Sequence, residues 1–107
     1  MTEHEIQNAI LRYLSTRDDL RAWRQNTGVA EIDGRRVAFG VPGAADISGV
    51  LAGGRRLEIE CKSAVGRQSN RQKAYEKMIN RFGGLYVLAR SVDDVRGALP
   101  AEADPTP

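Results

Sequence analysis

Residues 45–63 read ADISGVLAGGRRLEIECKS. Two runs of alternating apolar and polar residues flank Gly53-Gly54, the pattern of a β-hairpin. Successive strand residues point to opposite sides. Leu57, Ile59 and Cys61 therefore share one apolar face of the second run, and Glu58, Glu60 and Lys62 share the other. On the first run Asp46, Ser48 and Val50 lie on one face, with Ile47 and Leu51 on the core side. Directly opposed residues of an antiparallel pair lie on the same face. Asp46 meets Glu60 only if the connection has odd length and is centred on Gly53, or carries a bulge. A strict two-residue Gly-Gly turn sets them on opposite faces.

If they meet, two carboxylates stand about 4–5 Å apart, the spacing of cross-strand neighbours. Like charges so close repel, and one carboxyl is driven toward its neutral form. A divalent cation removes the conflict, and Mg²⁺ takes few carboxylates together with waters. Lys62 would then stand beside that cation. There it could orient or deprotonate a water, or stabilise charge developing on a phosphate. An acid pair, a metal and a lysine suit hydrolysis of a phosphodiester.

Outward from this stretch, QSNRQKAYEKMINRFGG (68–84) has helical periodicity, with Tyr75, Met78, Ile79 and Phe82 as its inner face and Gly83-Gly84 as its stop. Gln72 borders that face. LYVLA (85–89) is a short, wholly apolar strand expected at the centre of a sheet. Ser91 and Asp94 open a short last helix as a variant capping box. Towards the N-terminus, Ile6, Ile10, Tyr13 and Leu14 make one face of a helix over residues 3–15, capped by Thr2. Trp23 marks a strand ended by Gly28, along which Arg24 and Asn26 alternate onto one face. Asp33-Gly34 is the turn of a further hairpin. The order α, several β, α, β, α predicts an α/β fold with one mixed central sheet flanked by helices.

The chain has 107 residues, of which 41% are hydrophobic and 28% charged, an ordinary globular balance for one domain. Residues 1–99 form that domain, and 100–107 are expected to be a disordered tail. The formal charge is +2. Without the last eight residues, which hold two acids and no base, 16 basic residues face 12 acidic ones, a mild bias toward a polyanionic partner. The single cysteine excludes an internal disulfide framework and a cysteine zinc site. With no apolar run of membrane length and no signal peptide, a soluble cytoplasmic protein without membrane partners is expected.

Five stretches, in order, resemble the motifs of the VRR-NUC family of the PD-(D/E)xK nuclease superfamily, in its stand-alone phage or bacterial type. They are EHEIQ (3–7), RQNTG (24–28), GAADI (43–47), EIECK (58–62) and GRQSNRQ (66–72). Position 45 is Ala where the superfamily name has Pro. The resemblance spans residues 3–89. It implies a restriction-endonuclease-like αβββαβ core and a metal-dependent endodeoxyribonuclease using Mg²⁺ or Mn²⁺ and no small-molecule cofactor. Asp46, Glu60 and the backbone carbonyl of Cys61 would ligate the metal, and Lys62 would be the catalytic lysine. Gln72 would approach from the second helix. Glu3, rather than Glu5, would approach from the first. The expected DNA contacts are Arg24, Asn26, Arg67, Ser69 and Arg71. Members of this size look like homodimers that cleave Holliday (four-way) junctions in DNA repair and recombination. A nickase, a flap or restriction-like nuclease, and a non-catalytic DNA-binding module are the alternative readings.

Glu58 is the residue most easily confused with a ligand, and is expected to stand apart. Cys61 reads as a small core residue. Lys73, Lys77 and Arg81 read as a solvated stripe, and His4 as surface.

Overall fold

The computed structural model describes residues 1–26 and 28–101. Most of the expected tail, residues 102–107, lies outside the described residues. Helix α1 (Glu3–Ser15) starts at a reciprocal cap: the Glu5 N–H donates to Thr2 Oγ1, and the Thr2 N–H donates to Glu5 Oε1. Ile6, Ile10 and Leu14 form its buried stripe. β1 (Leu20–Arg24) follows, then β2 (Gly28–Ile32) and β3 (Arg35–Phe39). Next come β4 (Ile47–Leu51), β5 (Arg56–Cys61), α2 (Asn70–Arg81), β6 (Leu85–Ala89) and α3 (Val92–Ala98).

The main sheet has four strands in the order β1-β4-β5-β6. β4 is antiparallel to both β1 and β5, whereas β6 is parallel to β5, so the sheet is mixed. α1 and α3 cover one face. Ile6, Ile10, Leu14, Val95 and Leu99 pack there on Ile47, Leu51, Leu57, Ile59, Cys61, Val87 and Ala89. Burying each large aliphatic side chain of that layer contributes about 1.5–3 kcal/mol. α2 covers the other face through a smaller cluster of Tyr75, Ile79, Ala45 and Tyr86. The chain is thus an α/β protein with helices on both faces of a mixed sheet. Among the described residues no helix is long and apolar enough to cross a membrane.

Four expectations need correction. β6 is an edge strand rather than a central one. It is wholly apolar because both its faces are covered: Val87 and Ala89 enter the α1/α3 layer and Tyr86 enters the α2 layer. The inner face of α2 is narrower than its periodicity suggests, since Met78 is 39% and Phe82 77% exposed. Gly84 passes so close under the helix that an added Cβ would lie 2.7 Å from Ile79 Cγ2. The buried residues of the helix are Tyr75 and Ile79, and Phe82, the C-cap residue, is exposed with the Arg81 guanidinium 5.6 Å from its ring centroid. β1 ends at Arg24, so Asn26 shares no strand face with it. The Gln25 N–H still donates to the Asp46 carbonyl at 2.8 Å, one step beyond the Arg24–Ile47 pair, and the pairing goes no further. Finally, the β2–β3 hairpin does not join the main sheet. It is a separate two-stranded ribbon closed by Asp33 and Gly34, both at positive φ as a two-residue hairpin turn requires.

Candidate active site

The connection between β4 and β5 decides whether the two acids converge. The Leu51 N–H donates to the Arg55 carbonyl at 2.8 Å, and the Gly54 N–H donates back to the Leu51 carbonyl at 3.0 Å. The loop between them is Ala52-Gly53-Gly54, odd in length and centred on Gly53. Gly53 and Gly54 have φ of 87° and 88°, a left-handed conformation that disfavours any side chain. The resulting register pairs Ile47 with Ile59, Ser48 with Glu58 and Val50 with Arg56. One step further sets Asp46, the residue before β4, against Glu60.

Asp46 is held from several directions. Its Oδ2 accepts the Cys61 N–H at 2.9 Å. Its carbonyl accepts the Gln25 N–H at 2.8 Å. Gln25 is itself fixed, because Ser48 Oγ donates to Gln25 Oε1 at 2.9 Å. No sequence pattern marks Gln25; its role follows from where β1 stops.

Glu60 is 2% exposed, and no donor reaches its Oε2 among the described residues. Burial pushes its carboxyl up to about 9, from an ordinary value of 4.5. Asp46 reinforces the shift, both by hydrogen bonding with the protonated form and by charge repulsion, and Glu3 adds to it. Lys62 opposes it from Nζ, 3.8 Å from Glu60 Oε1, but desolvation wins. The same ammonium lies 3.9 Å from Glu3 Oε1, so the first turn of α1 reaches the end of β5. Glu5 is committed to the α1 cap instead.

The remaining candidates divide by what already occupies them. Gln72 and Ser69 cap α2 reciprocally: the Ser69 N–H donates to Gln72 Oε1 at 2.8 Å and the Gln72 N–H to Ser69 Oγ at 3.2 Å. Arg24 is exposed and donates to Asn8 Oδ1 at 2.7 Å. Arg67 and Arg71 are exposed, as is Asn26. The backbone of Arg71 abuts Gly43, where an added Cβ would lie 2.4 Å from the Arg71 carbonyl oxygen. Cys61 is fully buried on the apolar face, and burial, followed by the nearby Asp46 and Glu60 charges, pushes its thiol up to about 12. Burial thus disfavours its thiolate, the nucleophilic form. Glu58, also fully buried, accepts from Tyr75 Oη and from Arg56 Nε at 3.2 Å. Burial, then the bond to Glu58, pushes the Tyr75 hydroxyl up to about 12.

Among the described residues, no three His, Cys, Asp or Glu side chains gather into a metal-binding group. The donors at hand are two carboxylates, Asp46 and Glu60, with the Cys61 carbonyl beside them on the chain. A buried carboxylate oxygen without a donor, next to a second carboxylate, fits a hard cation that keeps most of its waters. Compared with known proteins, the chain matches no family model, no curated protein and no solved structure.

Proposed function

We propose that the protein is a metal-dependent endodeoxyribonuclease with a restriction-endonuclease-like fold of the VRR-NUC type. The observation that carries this reading is the buried Glu60 carboxyl, with its unpartnered Oε2, beside half-buried Asp46 and alongside Lys62. Without its exposed ribbon the chain runs α, three β, α, β, α, which supports the fold assignment. Exposed Arg24, Arg67 and Arg71 support a polyanionic substrate.

Asp46 and Glu60, with the Cys61 carbonyl, would hold Mg²⁺ or Mn²⁺. When bound, such an ion supplies a Lewis acid for the scissile phosphate and lowers the pKa of a water. Lys62 orients the attacking water and stabilises the charge that develops on the phosphate oxygens. Glu3 holds the Lys62 ammonium from the side of α1. The pairing of Cys61 N–H with Asp46 Oδ2 keeps one carboxylate fixed while the other is free to exchange its proton. A homodimer acting inside the cell on four-way junctions is the substrate context we propose, since two sites related by a two-fold axis suit paired scissile strands.

Labelled four-way, flap and linear duplex DNA, incubated with Mg²⁺, Mn²⁺ or EDTA, tests the reading. Cleavage that needs the cation and is greatest on the four-way junction is expected. Absence of cation-dependent cleavage on every substrate would overturn the assignment as an enzyme, and retained DNA binding in that case would point to a binding module.

A further inference from the structure

The loop that follows Lys62 is held from below by a residue outside all five motifs. Arg90 stands just after β6, where its N–H donates to Asp94 Oδ2 at 2.8 Å in the first turn of α3. Its side chain turns toward the end of β5. Nη1 donates to the Ser63 carbonyl and, at 2.9 Å, to the Gly66 carbonyl. The same loop is closed by the Gly66 N–H on the Ser63 carbonyl at 3.2 Å. Lys62 is tied to the strand beside Arg90 through its own N–H, which donates to the Ala89 carbonyl at 2.9 Å. The folded loop then lies against the lysine stem: an added Cβ on Gly66 would stand 3.3 Å from Lys62 Cδ. One guanidinium nitrogen thus fixes both ends of a turn whose inner wall is the side chain of Lys62.

We infer that Arg90 is a positioning residue for Lys62, setting the direction of its ammonium toward Glu60 and Glu3; the inference rests on the proposed nuclease reading for its catalytic consequence. A free four-carbon lysine stem has many rotamers, and confining it before the reaction removes an entropic cost from the chemical step. Gly66 has a matching role, because a Cβ there would press the Lys62 stem aside by a few tenths of an ångström.

Two variants test this, Arg90→Ala and Gly66→Ala, each read in two ways. The first readout is junction cleavage with kcat and KM separated. The second is the rate at which a small amine reagent labels Lys62, followed by mass spectrometry in EDTA. For Arg90→Ala we expect kcat to fall about 10- to 100-fold at unchanged KM and unchanged DNA affinity, as for a misplaced catalytic group. Lys62 labelling should rise several-fold. Gly66→Ala should show the same signature at smaller size, and decides the matter if Arg90→Ala does not fold. Unchanged kcat and unchanged labelling would overturn the inference. So would weaker DNA binding at constant kcat, which would make Arg90 a phosphate contact. If the wild-type protein cleaves no DNA, the nuclease reading fails, and the labelling rates alone uphold or overturn the clamp.

Discussion

Glu58 and Glu60 stand two residues apart on the same face of β5, and both are buried. Their surroundings differ completely. Glu58 lies under α2 with a donor for each oxygen, Tyr75 on one and Arg56 on the other. Glu60 has a second carboxylate beside it and one oxygen lacking any donor among the described residues. A buried charge that is fully hydrogen-bonded pins elements together. One that is left short is costly, and such deficits mark places where something else is expected to bind. The contrast separates a fully bonded acid from one left short of donors, whereas the sequence pattern presents both as members of the same alternating run.

The largest effect that sharpens this contrast is on activity. Lys62→Ala and Glu60→Gln should each lower cation-dependent junction cleavage by about 10²- to 10⁴-fold while leaving a cooperative unfolding transition, measured by circular dichroism. At the other acid the weight falls on stability. Glu58→Ala strands the buried Tyr75 hydroxyl and leaves a cavity under α2, while the half-exposed Arg56 is left to solvent, and should lower the unfolding free energy by about 2–4 kcal/mol in urea titrations. Tyr75→Phe, which takes away only one donor, should cost about 1–3 kcal/mol. If Glu58→Ala were stable and inactive, the division between the two acids would break. Smaller again is the expected effect of Gln25→Ala. The Gln25 N–H stays, but losing the side-chain acceptor of Ser48 Oγ loosens the residue that holds the Asp46 carbonyl and should weaken Mg²⁺ affinity by up to about 10-fold by calorimetry.

A separate contrast lies in pH dependence. The Glu60 carboxyl is raised from 4.5 to about 9 in the folded chain. Between those values the folded state keeps a proton that the unfolded state has released. The unfolded state binds fewer protons there, so stability of the metal-free protein is greatest at the acid end and falls as pH rises toward 9. In EDTA the melting temperature should decline from about pH 5 to 9, and Glu60→Gln should flatten that decline. A slope unchanged by the substitution would mean that another group carries it.

Much of this arrangement is legible in the residues themselves. The alternation of Leu57, Ile59 and Cys61 locates the buried face of β5, and Gly53-Gly54 locates its turn. What the letters leave open is whether Ala52 belongs to that turn, and on this one residue depends the face on which Asp46 falls. Hydrogen bonding between Leu51 and Arg55 decides it. Other features depend on contacts between distant segments. β6 has the composition of a central strand because burial on two faces, not position in the sheet, selects apolar residues. Met78 and Phe82 follow the helical period of α2 but remain exposed, since periodicity marks a helix face and not how much of it the sheet covers. Gln25 and Arg90 act through backbone carbonyls and N–H groups, which any sequence possesses and none advertises. Gln72 and Ser69 have a local explanation as a cap, one available from their spacing alone.

The ribbon of β2 and β3 has a consequence for how this molecule could diversify. β1 and β4 are hydrogen-bonded neighbours, and Gln25 meets Asp46 backbone to backbone where the chain departs and returns. The excursion between them is closed at its base. Lengthening such a detour is inexpensive, about 0.6 kcal/mol for each doubling. Its tip can therefore be rewritten freely, while the short tie between Gln25 and Asp46 insulates the acid pair from whatever the ribbon becomes.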